Sequence, residues 1–372
     1  MHLYIHIPFC RQACHYCDFH FSTNLSRKAD MVTAICEEIK LQQNYLNTKH
    51  LQTIYLGGGT PSLLTTDELH QVFDTIQRYF SIDANAEITL EANPDDFGKD
   101  WKLLPYINRL SIGIQSFNDQ HLHYLHRIHT ADEASSCVKQ AQDAGIQNIT
   151  IDLIYAIPAP NHTSWQQDLE QAVALQVPHI SAYCLTIEPQ TVFGKWLKTK
   201  QIAPIDDTFA AEQFQLLIAY LQEQGFEQYE ISNFAKPTWH SRHNSSYWKG
   251  DPYLGVGPSA HSFDGRFTRQ YNVSNNAKYL HALQQGNIPC EVEYLTITDR
   301  VNEYLLTTLR TQWGCSLHEI ERLGVLDFIK QRQSELERFV QSDWLVIQHQ
   351  TLYLTAAGKL FADKIAAELF LD

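Results

Sequence analysis

Apolar positions in the first 225 residues form two alternating patterns, short continuous runs and longer stretches with apolar residues every three or four positions. A short continuous run indicates a buried strand, and the wider spacing indicates a helix with one apolar face. The runs predict six strands, Leu3–Ile7, Leu51–Leu56, Ala86–Ala92, Leu110–Ile114, Ile149–Tyr155 and His179–Thr186. The spaced stretches predict helices at Arg27–Asn44, Glu68–Phe80 with Asp67 as its N-cap, Asp132–Ala144, Ser164–Leu175 and Asp206–Gln224.

Strands and helices that alternate through short loops imply a parallel sheet with right-handed crossovers. Nearly every polar or glycine-rich cluster follows a predicted strand, which is where barrel-type α/β folds carry their sites. We therefore predict an α/β fold, an incomplete (β/α)6 barrel of the TIM type. A doubly wound sheet is the alternative, because strand order cannot be read from one sequence.

The pattern changes after about Phe234, and we predict three parts: a barrel over 1–235, a connecting segment over 236–297 and a C-terminal domain over 298–372. The connecting segment is rich in aromatic residues and glycine, and within it His240–Ser262 has no periodicity. The C-terminal part is mostly helical, with a hairpin near 345–354 and a last helix over about Ala357–Leu369. Helices followed by a hairpin suggest a smaller, winged-helix-like domain.

Charge and composition narrow the class of partner and the compartment. The net charge is −14, and residues 299–372 hold 8 Lys and Arg against 11 Asp and Glu, so we expect no nucleic acid as partner. No apolar run approaches the length of a membrane span, and no secretion signal is visible. Five of the eight cysteines are scattered singly, which fits a reducing, cytoplasmic location.

The strongest chemical signal is a group of three cysteines, Cys10, Cys14 and Cys17, in the loop after the first strand. Thiolates are soft ligands that favour iron–sulfur clusters, zinc or Cu(I). A cubane cluster needs four ligands, so three cysteines would leave one iron open to an exchangeable group. The alternative is a structural zinc site with a nearby histidine, His6, His15 or His20, as the fourth ligand.

A second signal is the segment Gly57-Gly58-Gly59-Thr60-Pro61, which follows the second predicted strand. Three glycines allow a ligand to approach the backbone without a side-chain clash. The alternative is a tight turn between a strand and a helix.

Together these motifs resemble the radical S-adenosylmethionine (SAM) superfamily, and the oxygen-independent coproporphyrinogen III oxidases within it. The resemblance implies that Cys10, Cys14 and Cys17 hold a 4Fe–4S cluster whose fourth iron binds SAM. It also implies SAM contacts by the residues at the matching positions: Tyr4, Gly58, Gly59, Thr60, Glu91, Gln115, Arg127 and Asp152. Glu91 suits the SAM ammonium or hydroxyls, Arg127 its carboxylate, and Asp152 a hydroxyl or the ammonium.

Two features depart from the oxidase pattern and resemble the HemW family of heme chaperones instead. Phe19 stands where the oxidases have a further cysteine, and the first strand begins at residue 3 without their N-terminal extension. The run from His243 to Trp248 also resembles the His-Asn-x-x-Tyr-Trp element that marks HemW proteins and is linked to heme. His243 is then a candidate heme ligand, flanked by aromatic faces for the macrocycle; a structural histidine in an aromatic loop is the alternative.

The HemW resemblance implies a heme chaperone that passes heme to respiratory-chain or other acceptor apo-proteins, some of them membrane-associated. The other hypothesis is an enzyme that oxidatively decarboxylates coproporphyrinogen III in heme biosynthesis. We expect the cluster, SAM and heme as bound groups in the first case. Turnover of coproporphyrinogen would distinguish the second.

Overall fold

A computed structural model describes residues 1–96 and 106–372. Its central feature is a run of six parallel strands, each hydrogen-bonded to the next in sequence order. The strands are β1 (His2–Ile7), β2 (His50–Gly58), β3 (Ser81–Ala92), β4 (Arg109–Gln115), β5 (Asn148–Tyr155) and β6 (His179–Cys184). A doubly wound sheet reverses its strand order at a switch point. The unbroken order therefore excludes that alternative and confirms the barrel type.

Within the described ranges, seven α-helices accompany these strands. They are α1 (Lys28–Leu41), α2 (Thr66–Tyr79), α3 (Asp119–Tyr124), α4 (Ala131–Asp143), α5 (Thr163–Ala174), α6 (Val192–Lys198) and α7 (Asp207–Glu223). The five predicted helices are confirmed to within a few residues. The short helices α3 and α6 were not predicted, because seven residues or fewer show too little periodicity.

The N-cap predicted for α2 was wrong by two positions. Thr65, not Asp67, accepts the first free amide: the Glu68 N–H donates to the Thr65 hydroxyl, and the Thr65 N–H donates to the Glu68 carboxylate. This reciprocal capping box satisfies two donors at once, which a lone aspartate cannot do.

The segment after residue 225 extends the sheet on both edges. On the β6 side lie β7 (Glu227–Glu230) and β8 (Asn233–Ala235), followed by helix α8 (Arg242–Trp248). On the β1 side lie β9 (Tyr253–Val256), β10 (His261–Phe263), β11 (Thr268–Asn272) and β12 (Cys290–Tyr294), with α9 (Asn276–Gln284) between the last two. β9 pairs with β1 in parallel. The sequence pattern did not predict these elements, because strands of three to five residues are too short to show a period.

Two edges remain in this twelve-stranded sheet, β12 and β7, which do not pair with each other among the described residues. The barrel is therefore incomplete. Its apolar core is continuous from β1 through α7 and includes Leu254 and Val256 of β9. The sheet thus crosses the boundary predicted at residue 235, and the three-part division itself stays a prediction.

The C-terminal part has its own apolar cluster, built on Val301, Leu305, Phe339 and Ile365. Its elements are α10 (Ile297–Leu309), β13 (Cys315–Ser316), α11 (Leu317–Arg322), α12 (Phe328–Gln331), α13 (Gln333–Gln341), β14 (Leu345–Gln348), β15 (Thr351–Leu354) and α14 (Ala362–Glu368). The hairpin of β14 and β15 is confirmed, and β13 adds a third strand. None of the helices in the described ranges has the length and apolarity that a bilayer crossing requires.

Candidate functional site

A cavity of about 370 Å³ opens at the carboxyl ends of the parallel strands. Ten of the twelve residues predicted for the site line it: Cys10, Cys14, Cys17, Gly58, Gly59, Thr60, Glu91, Gln115, Arg127 and Asp152. Parallel strands bring their carboxyl ends to one edge, so residues far apart in sequence meet there. Tyr4 and His243, the other two, lie behind the cavity wall.

The three cysteines belong to the loop of residues 10–17, which we call the cysteine loop. The Cys10 N–H donates to the Ser22 carbonyl at 3.1 Å, and the Cys17 N–H donates to the Cys14 carbonyl at 3.4 Å. All three thiols are free and half-buried. The fold therefore directs three soft ligands from one short loop into the same cavity.

Two donors from the barrel point at these sulfurs. The Thr60 hydroxyl lies 3.5 Å from Cys10 Sγ, and Arg127 Nη1 donates to Cys14 Sγ at 3.4 Å. Burial raises the pKa of Cys10 to about 11 and that of Cys17 to about 12, so both thiols hold their protons unless a metal displaces them. A nearby guanidinium and hydroxyl suit the negative charge that thiolates bring to an iron–sulfur cluster.

The described residues contain no three His, Cys, Asp or Glu side chains arranged to hold a single metal ion. In a 4Fe–4S cluster each cysteine binds a different iron, so the thiolates surround a cube instead of a point. Three soft donors lining one cavity are the donor set that such a cluster requires.

The histidines considered for a zinc site make other bonds. His6 uses both ring nitrogens, one with the Tyr4 hydroxyl at 3.1 Å and one with the His20 carbonyl at 2.9 Å. His20 Nε2 lies 2.7 Å from the Asn276 side chain, and His15 Nδ1 bonds to a carbonyl of α3 at 3.0 Å. His6 is thus fully engaged, and the other two each have one nitrogen committed.

The glycine segment packs directly against the cysteine loop. A Cβ at Gly59 would lie 2.5 Å from the Phe9 carbonyl oxygen, and one at Gly58, whose φ is +106°, would meet the His6 ring at 2.5 Å. The Gly59 and Thr60 amides donate to the Ile7 and Phe9 carbonyls at 2.9 and 2.7 Å. Packing within the protein therefore already requires glycine at these two positions, whether or not a ligand is bound.

Glu91 is held at the end of β3 by two donors. The Tyr55 hydroxyl donates to its Oε1 at 2.7 Å, and the Gly58 N–H donates to its Oε2 at 3.0 Å. Burial, with a smaller contribution from the nearby Asp152 carboxylate, raises the pKa of Glu91 to about 7. The carboxyl group is therefore fixed in direction, and near pH 7 its protonated and ionised forms are both populated.

Arg127 and Asp152 also line the cavity. Arg127 Nη2 donates to the Asn93 side chain at 2.6 Å and to the Gly113 carbonyl at 2.7 Å. Asp152 accepts from the Ser111 hydroxyl at 3.3 Å, and burial raises its pKa to about 6. A fixed cation and two buried carboxyl groups can bind a zwitterionic ligand that carries both charges.

His243 does not lie in an aromatic loop as expected but in the first turn of α8, where it is 1% exposed. Its Nδ1 lies 2.6 Å from the Thr53 hydroxyl and its Nε2 lies 2.9 Å from the Tyr247 hydroxyl. Burial lowers its pKa well below the ordinary value. In this conformation neither ring nitrogen is free for iron, so heme ligation would require these bonds to break. The ligand role stays a prediction.

Several cavity residues were not predicted, among them Tyr55, Arg109 and Asn244. Arg109 is buried and donates to the hydroxyls of Thr89 and Thr150, while its Nε makes no hydrogen bond among the described residues and lies 4.0 Å from Glu87 Oε2. Tyr55 and Arg109 occur inside strands, where side-chain alternation marks inward positions, but one sequence does not distinguish a core position from a cavity position.

Comparison with known proteins agrees with this geometry. Residues 4–172 match the model of the radical SAM superfamily. The heme chaperone HemW of Escherichia coli (strain K12) is 33% identical, with 99% of this chain and 97% of that protein aligned, and HemW of Bacillus subtilis (strain 168) is 31% identical, with 97% of each aligned. A crystal structure of Escherichia coli coproporphyrinogen III oxidase, a radical SAM enzyme, superposes with a TM-score of 0.84.

That superposition covers 99% of this chain and 89% of the oxidase at 22% identity, which shows a shared fold. Several HemW relatives exceed 30% identity over nearly their whole length. The chain therefore belongs to the HemW family within the radical SAM superfamily.

Proposed function

We propose that this chain binds heme as cargo and passes it to acceptor apo-proteins. The observation that carries the proposal is its similarity, over nearly the full length, to proteins named as heme chaperones in several bacteria. As a member of the radical SAM superfamily the chain also carries a 4Fe–4S cluster and SAM. When bound, these two groups supply one-electron chemistry.

The cavity residues suit those two cofactors. Cys10, Cys14 and Cys17 offer the cluster ligands, and the site that they line is continuous with Glu91 and Arg127. Within the proposal, Arg127 meets the SAM carboxylate and Glu91 its ammonium, because each is a fixed buried group of the complementary charge. Within the same proposal Asp152, on β5, accepts from a ribose hydroxyl of SAM.

The rim of the cavity supports a large apolar cargo. Phe19 is 69% exposed, and Ile128 and Tyr183, which line the same cavity, are also exposed. Exposed apolar side chains grouped at one opening indicate a binding surface when they are contiguous, whereas single ones are common. A porphyrin face is flat and apolar, so it would cover such side chains.

Phe19 also bears on the chemistry that is proposed. By its resemblance to the HemW pattern it occupies the position of the oxidases' further cysteine, so this rim offers an aromatic face in place of a thiol. Acceptors in the respiratory chain or in a membrane, and action in the cytoplasm, are part of the proposal. They are supported by the family and by eight free cysteines, which suit a reducing compartment.

The test is heme titration of the anaerobically reconstituted protein, followed by its Soret band. We expect saturation near one heme per chain and transfer of that heme to an added apo-protein. Phe19→Glu should weaken binding, and Phe267→Glu, which changes an exposed phenylalanine outside the cavity lining, should not. Formation of protoporphyrinogen from coproporphyrinogen III, with deoxyadenosine accumulating, would instead establish the oxidase.

A further inference from the structure

The ring of His243 packs against a residue of the SAM cavity. The centroids of the His243 and Tyr55 rings are 5.0 Å apart with an interplanar angle of 29°. Tyr55 also stacks with Tyr4, at 6.1 Å and 29°. The two predicted site residues that do not line the cavity thus both contact the same cavity residue.

Tyr55 in turn holds the carboxyl group of Glu91. Its hydroxyl donates to Oε1 at 2.7 Å, while the Gly58 amide holds Oε2 at 3.0 Å. The fit is tight, because a Cβ at Gly57 would lie 2.8 Å from the Tyr55 ring and 3.0 Å from Glu91 Oε1. A shift of the Tyr55 ring would therefore move or release the carboxyl group.

Helix α8 is fixed where it begins. The amides of Arg242 and His243 each donate to the Glu87 carboxylate at 2.9 Å, and the Asn244 amide donates to the Ser241 hydroxyl at 3.2 Å. Glu87 lies in β3, four residues before Glu91, and Asn244 lines the cavity itself. The helix is thus part of the cavity wall, anchored to the strand that carries Glu91.

We propose that His243 is a positioning residue of the SAM site, which fixes the Tyr55 ring so that its hydroxyl directs the Glu91 carboxylate at the ligand. The Thr53 and Tyr247 hydroxyls hold the imidazole, and the imidazole backs Tyr55. This role uses the ring nitrogens and the ring face as the structure has them. It does not rest on heme binding.

The test measures SAM affinity by calorimetry on the anaerobically reconstituted protein, with the spectrum of the reduced cluster as a second signal. We expect His243→Ala and Tyr55→Phe each to weaken SAM binding about tenfold, the loss of one directed hydrogen bond. The double variant should be no weaker than either single variant, because both act through one contact. Iron content should stay at the wild-type value.

The matched control is His240→Ala, which removes a ring stacked on Tyr229 at 4.3 Å in the same segment but outside the cavity lining. It should leave SAM affinity unchanged. Tyr55→Phe keeps the ring and its packing, so it tests the proposal even if His243→Ala folds poorly. An unchanged SAM affinity in Tyr55→Phe, or fully additive losses in the double variant, would overturn the proposal.

Heme titration of the same variants separates this role from that of a heme ligand. If His243→Ala keeps its SAM affinity and loses the Soret band, the positioning role is wrong and the heme site is at His243. If it loses SAM affinity and retains heme, the positioning role holds and the chaperone function remains. If the wild-type protein does not bind heme, the proposed function is refuted but the positioning role of His243 is not.

Discussion

The cysteine loop and helix α8 border the same cavity but differ in how their polar groups are used. The three thiols are half-buried, and burial raises the pKa of Cys10 and Cys17, whereas the His243 ring is buried with both nitrogens hydrogen-bonded. Thr53, which holds His243, precedes Gly58 by five residues in β2, or roughly 16 Å along the strand. Unsatisfied groups mark where a ligand binds, and satisfied groups mark the framework that positions it.

The largest expected effect is at the cysteine loop. Cys10→Ala, Cys14→Ala and Cys17→Ala should each abolish the cluster, about four irons per chain, because no other thiol lies in the cavity mouth except Cys184 at its wall. Cys36→Ala, a cysteine outside that cavity, is the control and should keep the iron. Iron and sulfide are measured after anaerobic reconstitution. Stoichiometric zinc without sulfide in protein handled without oxygen would contradict the cluster.

For the free energy of unfolding we expect the opposite order, with a larger effect in helix α8 than in the cysteine loop. His243→Ala removes a buried ring and leaves the Thr53 and Tyr247 hydroxyls without it, so the free energy of unfolding should fall by about 2–4 kcal/mol. Cys14→Ala, in the half-buried loop, should lower it by less than about 1 kcal/mol. Urea unfolding of the cluster-free proteins compares the two. Equal losses would show that the loop is as much a part of the framework as the helix.

Substitution of Glu91 should weaken SAM binding more than it lowers the stability of the fold. Glu91→Ala removes an acceptor for a charged donor, so SAM binding should weaken by about 1–3 kcal/mol. SAM should also perturb the electron paramagnetic resonance of the reduced cluster in wild type, and less so in the variant. An unchanged wild-type spectrum at saturating SAM would argue against an open iron beside the glycine segment.

The smallest predicted effect is that of pH. The pKa of Glu91 is raised to about 7, so its carboxyl group is ionised above that value and neutral below it. A neutral acceptor attracts the SAM ammonium less, and affinity should fall about tenfold between pH 8 and pH 6. Glu91→Gln is neutral throughout and should show a flat profile. A wild-type profile equally flat would mean that Glu91 does not meet the charged group.

The sequence by itself determined the features that depend on neighbours along the chain. Three cysteines within eight residues converge wherever the loop folds, and Gly57–Gly59 follow a strand that apolar residues alone define. The six parallel strands were also predictable, because each buried run is continuous and separated from the next by a helix. From these followed the resemblance to the superfamily, and with it ten of the residues that line the cavity.

The tertiary structure decided what depends on partners far away in sequence. Thr53 and His243 are 190 residues apart, so nothing local shows that the ring is buried and bonded. The same holds for β9, which joins the sheet only by pairing with β1, and for Asn244 at the cavity. A short motif specifies which polar side chains are present. Whether those side chains are hydrogen-bonded within the protein or free to bind a ligand depends on residues from distant strands. That is why the convergence of the three cysteines could be predicted from the sequence and the setting of His243 could not.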